Sequence, residues 1–263
     1  MSSAALAPRP EMSGTAVENM IGIDLQTLDE VAALQTRIDR KYVIGVNEVD
    51  PLLAGLPDAT CALEIAGSRI QRYRSIYFDT PFLDSYFSAG RSRRRRWKVR
   101  TRSYLDSGHS WLEVKTRGPR GHTVKQRIEL DGGSTGLSEE GARFVASVIG
   151  ETATRALRPT LMTTYSRNTL YLADDGARAT IDTDLGFTSA ATLDQMNFPQ
   201  LCIVESKSGA SPSALDRLLW RGGHRPVSLS KYGAGMAALN PDVPRLKWHR
   251  VLTRDLQIER KAS

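Results

Sequence analysis

RRWKVRTRSYL (95–105), HSWLEVKTR (109–117) and HTVKQRIEL (122–130) decide the fold. Asp106-Ser107-Gly108 separates the first run from the second, and Gly118-Pro119-Arg120-Gly121 separates the second from the third. Short glycine-bearing turns of this kind join antiparallel neighbours, so the stretch predicts a three-strand meander. Side chains along a strand alternate between two faces. In the first run Arg96, Lys98, Arg100 and Arg102 share one face, and Trp97, Val99 and Thr101 share the other. In the second, Trp111, Glu113, Lys115 and Arg117 oppose Leu112, Val114 and Thr116. In the third, Lys125, Arg127 and Glu129 oppose Val124 and Ile128.

The pattern extends outward. Residues 40–46, 69–79, 160–172, 177–187 and 200–208 read as further strands, rich in β-branched and aromatic residues. Arg178, Asp182 and Asp184 share a face opposite Ala179, Ile181 and Leu185, and Glu205 shares a face with Lys207 opposite Cys202 and Val204. Helices are predicted over 24–36, 47–56, 81–89, 138–150 (capped by Ser138) and 211–223 (Ser211 as cap, Gly222 at the stop). A final strand is expected after Pro241. Many strands with few interleaved helices give an α+β fold with an antiparallel sheet. Two arrangements explain the charged faces: a sheet with that face in water, or a closed barrel with the charges in its lumen. Under the first, acids should be interspersed among the cations, because like charges opposite one another destabilise a sheet.

Net charge is +7, and its location is informative. Arg91, Arg93, Arg94, Arg95, Arg96, Lys98, Arg100 and Arg102 fall in a run without an acid; without those eight the chain stands at −1. The basicity is one local anion-attracting device. Cys61 and Cys202 are too few and too distant for a disulfide framework or a zinc site. Neither a signal-peptide pattern nor an apolar run long enough to span a membrane is present, so a cytoplasmic protein with a disordered leader over 1–22 is expected. The Ala-, Arg- and Gly-rich composition suits a bacterial source.

No GxxxxGK[ST] loop, no GxGxxG at a strand–helix junction and no nucleophile elbow occurs. His109, His122, His224 and His249 are scattered, without metal-type pairing. The remaining inventory, many Arg and Lys with a few Glu and Asp, suits phosphoryl chemistry.

The motifs RIDRKYVI (37–44), YRSIYFDT (73–80), KVRTR (98–102) after Gly90-Arg91, WLEVKTRG (111–118), VKQRIEL (124–130), RPTLMTTYSRNTL (158–170), RATIDTDL (178–185), CIVESKSG (202–209) and LSKYGAG (229–235) resemble, in order, those of the VTC domain. That domain is the polyphosphate polymerase branch of the CYTH-like, or triphosphate tunnel metalloenzyme, superfamily. The resemblance implies an eight-stranded antiparallel β-tunnel with helices packed outside, over residues 23–240, followed by a C-terminal extension over 241–263. It implies catalytic roles for Lys41, Arg100, Arg102, Lys115, Arg167 and Arg178. Arg91, Lys98, Arg127, Lys207 and Lys231 would bind phosphate or the growing chain. Glu205, and Glu113 more weakly, would hold Mn2+ or Mg2+, with Asp182 as either a further ligand or a structural partner of Arg178. ATP and polyphosphate are the implied partners, and a separate protein would be needed to bring the chain to a membrane. One departure stands out: the superfamily's ExExK-type first strand is here Arg37-Ile38-Asp39-Arg40-Lys41, with fewer acids for metal.

The expected activity is transfer of the ATP γ-phosphate to a polyphosphate chain. Its alternatives are a triphosphatase of the same fold, with water as nucleophile, and a non-catalytic polyphosphate-binding module. Nucleic-acid binding through RSRRRRWK is not expected, since aromatics near the run are sparse and no nucleic-acid motif accompanies it.

Overall fold

The computed structural model describes residues 15–31, 38–118, 123–130 and 136–258. Its strands are β1 (Ile21–Ile23), β2 (Ile38–Gly45), β3 (Thr60–Leu63), β4 (Gln71–Asp79), β5 (Arg96–Tyr104), β6 (Ser110–Arg117), β7 (Thr123–Leu130), β8 (Arg158–Leu172), β9 (Ala177–Ser189), β10 (Gln195–Phe198) and β11 (Leu201–Ser208). Its α-helices are α1 (Thr15–Glu18), α2 (Leu25–Val31), α3 (Val49–Ala54), α4 (Asp84–Gly90), α5 (Glu139–Ile149), α6 (Glu151–Ala156), α7 (Ala214–Arg221) and α8 (Lys231–Leu239). The predicted meander is β5-β6-β7. Residues 1–14 of the expected leader, residues 32–36 of the first helix, Arg37, the turn residues 119–121 and His122 lie outside the described residues.

Eight strands form one antiparallel path in the order β2-β11-β9-β8-β4-β5-β6-β7. The expected eight antiparallel strands are present but not closed into a barrel: among the described residues β2 and β7 end the path without pairing. The sheet is nonetheless curled. Burial lowers the pKa of Lys115 on β6; Asp39 and Glu205, from the opposite end of the path, oppose that shift, and Lys41 adds to it.

The apolar faces of the strands point outward and are covered in two places. Tyr42, Ile44, Leu170, Ile181 and Val204 pack with Leu53 of α3 and Leu215 and Leu219 of α7. Val99, Leu112 and Val114 pack with Val145 of α5. A third core lies on the inner side, where Tyr77, Leu161, Tyr165 and Phe187 meet α8, Tyr86 of α4 and Trp248. The register slips in two places, the first between Tyr77 and Phe78 in the β4–β8 pair. The β8–β9 register slips between Thr164 and Ser166, and Asp184 takes a left-handed φ of 50°. Leu185 and Phe187 therefore turn to the inner core, and Asp184, expected on the charged face, accepts from Ser166 at 3.1 Å.

Three further expectations change. Ser213, not Ser211, caps α7, because Asp216 three residues on completes a reciprocal cap. Residues 15–22 of the expected leader are folded: Val17 is buried, and β1 pairs in parallel with β3. The segment after Pro241 is helical rather than a strand, with a 3-10 turn at Leu246–Trp248 and a π turn at Val251–Asp255; Trp248, Val251, Leu252 and Leu256 enter the inner core. Among the described residues no helix is long and apolar enough to cross a membrane.

Candidate functional site

Strand register lines the charged side chains up in rows across the inner face. Lys98, Lys115 and Lys125 stand opposite one another on β5, β6 and β7, and Arg100, Glu113 and Arg127 form the next row. On the other flank Lys41 faces Glu205, Asp39 faces Lys207, and Lys207 faces Arg178. Arg167 of β8 faces Asp182 of β9. Ser230 and Lys231, at the start of α8, reach into this space: Lys98 donates to Ser230 Oγ at 2.8 Å, and Lys231 pairs with Asp182.

Each inner carboxylate is held by cations. Glu113 is buried and accepts Arg100 Nε at 2.7 Å and Nη2 at 2.6 Å, with Lys125 Nζ at 2.5 Å from its other oxygen. Burial would raise its pKa, but Arg100, Arg102 and Lys125 together hold it well below the usual carboxylate range. Asp182 is likewise buried and likewise depressed, against the effect of burial, by Arg167 and Lys231. Arg167 grips it with Nε at 2.5 Å and Nη2 at 2.8 Å. The sequence pairing of Asp182 with Arg178 is thus corrected: register places Arg178 opposite Tyr171 and Lys207, and its guanidinium reaches Asp29 of α2 at 3.1 Å. Glu205 meets Lys41 at 2.7 Å and lies 3.9 Å from Lys207; these cations overcome burial and hold it at about 2.

The sequence reading missed an aromatic floor beneath the cations. Arg102 lies over Tyr73 (5.5 Å to the ring centroid), Arg100 over Tyr77 (5.8 Å), Arg167 over Tyr73 and Tyr165 (5.4 and 5.2 Å), and Lys231 over Tyr165 (4.4 Å). Tyr73 stacks on Tyr165, and Tyr77 Oη accepts from Arg100. Aromatic faces attract cations and fix their heads without neutralising them. The signal was present in RYRSIYFD (72–79): alternation puts Tyr73, Ser75 and Tyr77 on one face and Arg72 and Arg74 on the other.

Other predicted residues are placed less centrally. Arg91 is exposed at the end of α4, over Phe87 at 4.9 Å, and is not on an inner-face strand. Arg127 is exposed on β7 and stacks over Trp111 at 4.4 Å. Lys98 is strongly perturbed: burial, then Lys115, Arg100, Lys247 and Lys41, push its pKa down to about 7.

For a divalent cation the fit is narrow. Among the described residues no three His, Cys, Asp or Glu side chains converge. Glu113, expected as a second ligand, does not fit, because both its oxygens already face Arg100 and Lys125. Glu205, with its Oε2 beyond hydrogen-bond reach of Lys207, fits as a single protein ligand to an ion that arrives on phosphate oxygens.

A family model described as VTC domain matches residues 36–240. No curated protein matches the chain. Among solved structures, it is similar to a putative adenylyl cyclase from Hippeastrum described as having a dominant triphosphatase activity, at 16% identity and a TM-score of 0.49, over 80% of this chain and 99% of that one. It is also similar to a putative adenylate cyclase from Vibrio parahaemolyticus, at 10% identity and a TM-score of 0.40, over 72% and 87%. A protein from Pyrococcus horikoshii gives 12% identity and a TM-score of 0.39, over 72% and 88%.

Proposed function

The chain belongs to the VTC domain family over residues 36–240, and from that premise we propose that it is a polyphosphate polymerase that uses ATP. The observation that carries this reading is the surplus of fixed cations over carboxylates on one face of one curled sheet. Arg100, Arg102, Lys115, Arg167 and Lys41 bind the triphosphate, while Arg178, Lys207, Lys231, Lys98 and Arg127 extend the grip along a chain. Arg167 keeps its Nη1 amino group for a phosphate oxygen while Asp182 fixes its plane. Tyr73, Tyr77 and Tyr165 hold the guanidinium and ammonium heads in place. A terminal phosphate oxygen of the chain attacks the γ-phosphorus in line. The bond from that phosphorus to the β–γ bridging oxygen breaks, and ADP leaves. The attacking oxygen is already ionised, so no general base is needed; catalysis is positioning and charge stabilisation. A divalent cation, Mn2+ or Mg2+, would be held through Glu205 and would supply further neutralisation of phosphate charge.

The test is the product formed from ATP and Mn2+, resolved on a gel. A ladder of long phosphate chains, with any lag removed by short primers, is expected. Orthophosphate without chains, primer present or absent, would leave the triphosphatase reading. Tight polyphosphate binding without turnover would leave a binding module.

A further inference from the structure

The cation strip continues past the site just described. β5 begins at Arg96, which stands directly opposite Arg117 at the end of β6. The next inner-face row repeats the arrangement with Lys98 opposite Lys115. Like charges opposed in neighbouring strands repel, and a polyanion laid across both rows would relieve that repulsion. A third cation comes from another part of the chain. Lys247 sits exposed on the 3-10 turn of the C-terminal segment, where the neighbouring Leu246 packs directly on Gly90 at the end of α4, a few residues before Arg96; partial desolvation, then Arg96 and Arg117, lower its pKa. Arg93, Arg94 and Arg95, all exposed, lead into the same corner.

We propose that Arg96, Arg117 and Lys247 form a second polyanion subsite at the mouth of the cleft, which takes the part of an inorganic polyphosphate chain that extends beyond the three phosphates held within. The subsite rests on the reading of the inner face as a polyphosphate site. Arg96 and Arg102 are six strand residues apart, or about 20 Å, beyond the reach of three linked phosphates. Lys98 and Lys115 bridge the interval, so the cations form one track. Lys247 lies outside residues 36–240, so the family match covers Arg96 and Arg117 but not the third cation of this corner. A nucleic acid is disfavoured because single-strand binding needs exposed rings to stack on. The aromatics here are Trp97, packed toward the outer core, and Trp248, which is buried.

The test compares direct binding of tripolyphosphate and of long-chain polyphosphate to the full chain and to the Arg117→Gln/Lys247→Gln double variant. The variant is expected to lose about tenfold or more in affinity for the long chain, the value of one charge-assisted contact, and to keep wild-type affinity for tripolyphosphate. Lys247→Glu, an exposed single change, should give the same split and guards against a folding artefact in the double variant. Equal losses for both ligands, or no loss for either, would overturn the subsite. So would tighter binding of single-stranded DNA than of polyphosphate of equal charge, if the variant abolished that binding. Wild-type protein that ignores tripolyphosphate yet binds long chains through Lys247 would sink the inner-site reading and leave the subsite standing. Wild-type protein that binds neither would sink both.

Discussion

Lys98 faces Lys115, Arg100, Lys247 and Lys41, with the Ser230 hydroxyl as its hydrogen-bond partner, and titrates at about 7 instead of 10.5. A bound polyanion favours the ammonium, so binding above that pH draws in a proton. Affinity for long-chain polyphosphate should therefore fall as pH rises above 7, by up to about tenfold per unit for one linked proton. Lys98→Gln should flatten that profile, and calorimetry in buffers of different ionisation enthalpy would count the proton. Stability of the free protein should move the other way: the unfolded chain binds more protons between pH 7 and 10.5, so this lysine's unfavourable contribution fades as pH rises through that window. Glu205 has the opposite sign. With a folded value near 2 against an ordinary 4.5, its stabilising effect is complete above 4.5 and lost as pH falls toward 2. Glu205→Gln should cut Mn2+-dependent turnover by roughly two orders of magnitude or more while leaving polyphosphate binding intact or tighter. Initial rates against metal concentration, beside a binding titration, check both; wild-type rates would remove Glu205 from the metal.

At the scale of elements, α8 binds the inner core together. A Cβ on Gly233 would sit 2.1 Å from Trp248, and one on Gly235 would sit 2.7 Å from Leu161. Trp248 is buried and cannot swing aside, so Gly233→Ala should cost about 1–3 kcal/mol as overpacking. Gly209→Ala, with nothing within 4 Å, should cost far less; urea titrations of the two variants make the comparison. The same helix marks where sequence reading stops. KYGAGMAAL is apolar and small on all sides, and seven of its nine residues are buried, so it carries no helical stripe to read. The inner Gly-Ala-Gly has no motif meaning; its meaning is close packing. The strands of the meander were legible because their faces differ in polarity. Asp184 was not, because a bulge breaks period two without a local signal, and the partner of Asp182 is set by strand register, which connects residues far apart in sequence.

For the whole molecule, the family's residues 36–240 do not make the fold alone. Trp248, Val251, Leu252 and Leu256 lie beyond them and are buried in the inner core. Burying each such side chain contributes about 1.5–3 kcal/mol, and the four together are comparable to the roughly 5–15 kcal/mol that separates folded from unfolded domains. A chain ended at residue 240 should therefore fail to give a cooperative thermal transition by circular dichroism, where the full chain gives one. The unpaired ends of the sheet path have a consequence of a different kind. A closed ring retains a thread by topology, and the thread leaves only when an end slides through. A split ring has no such hold. Among the described residues no ladder joins β2 to β7, so a polymer can engage sideways between them as well as from an end. Its dwell time then follows from charge alone, and ionic strength, rather than the distance to a free end, decides when it lets go.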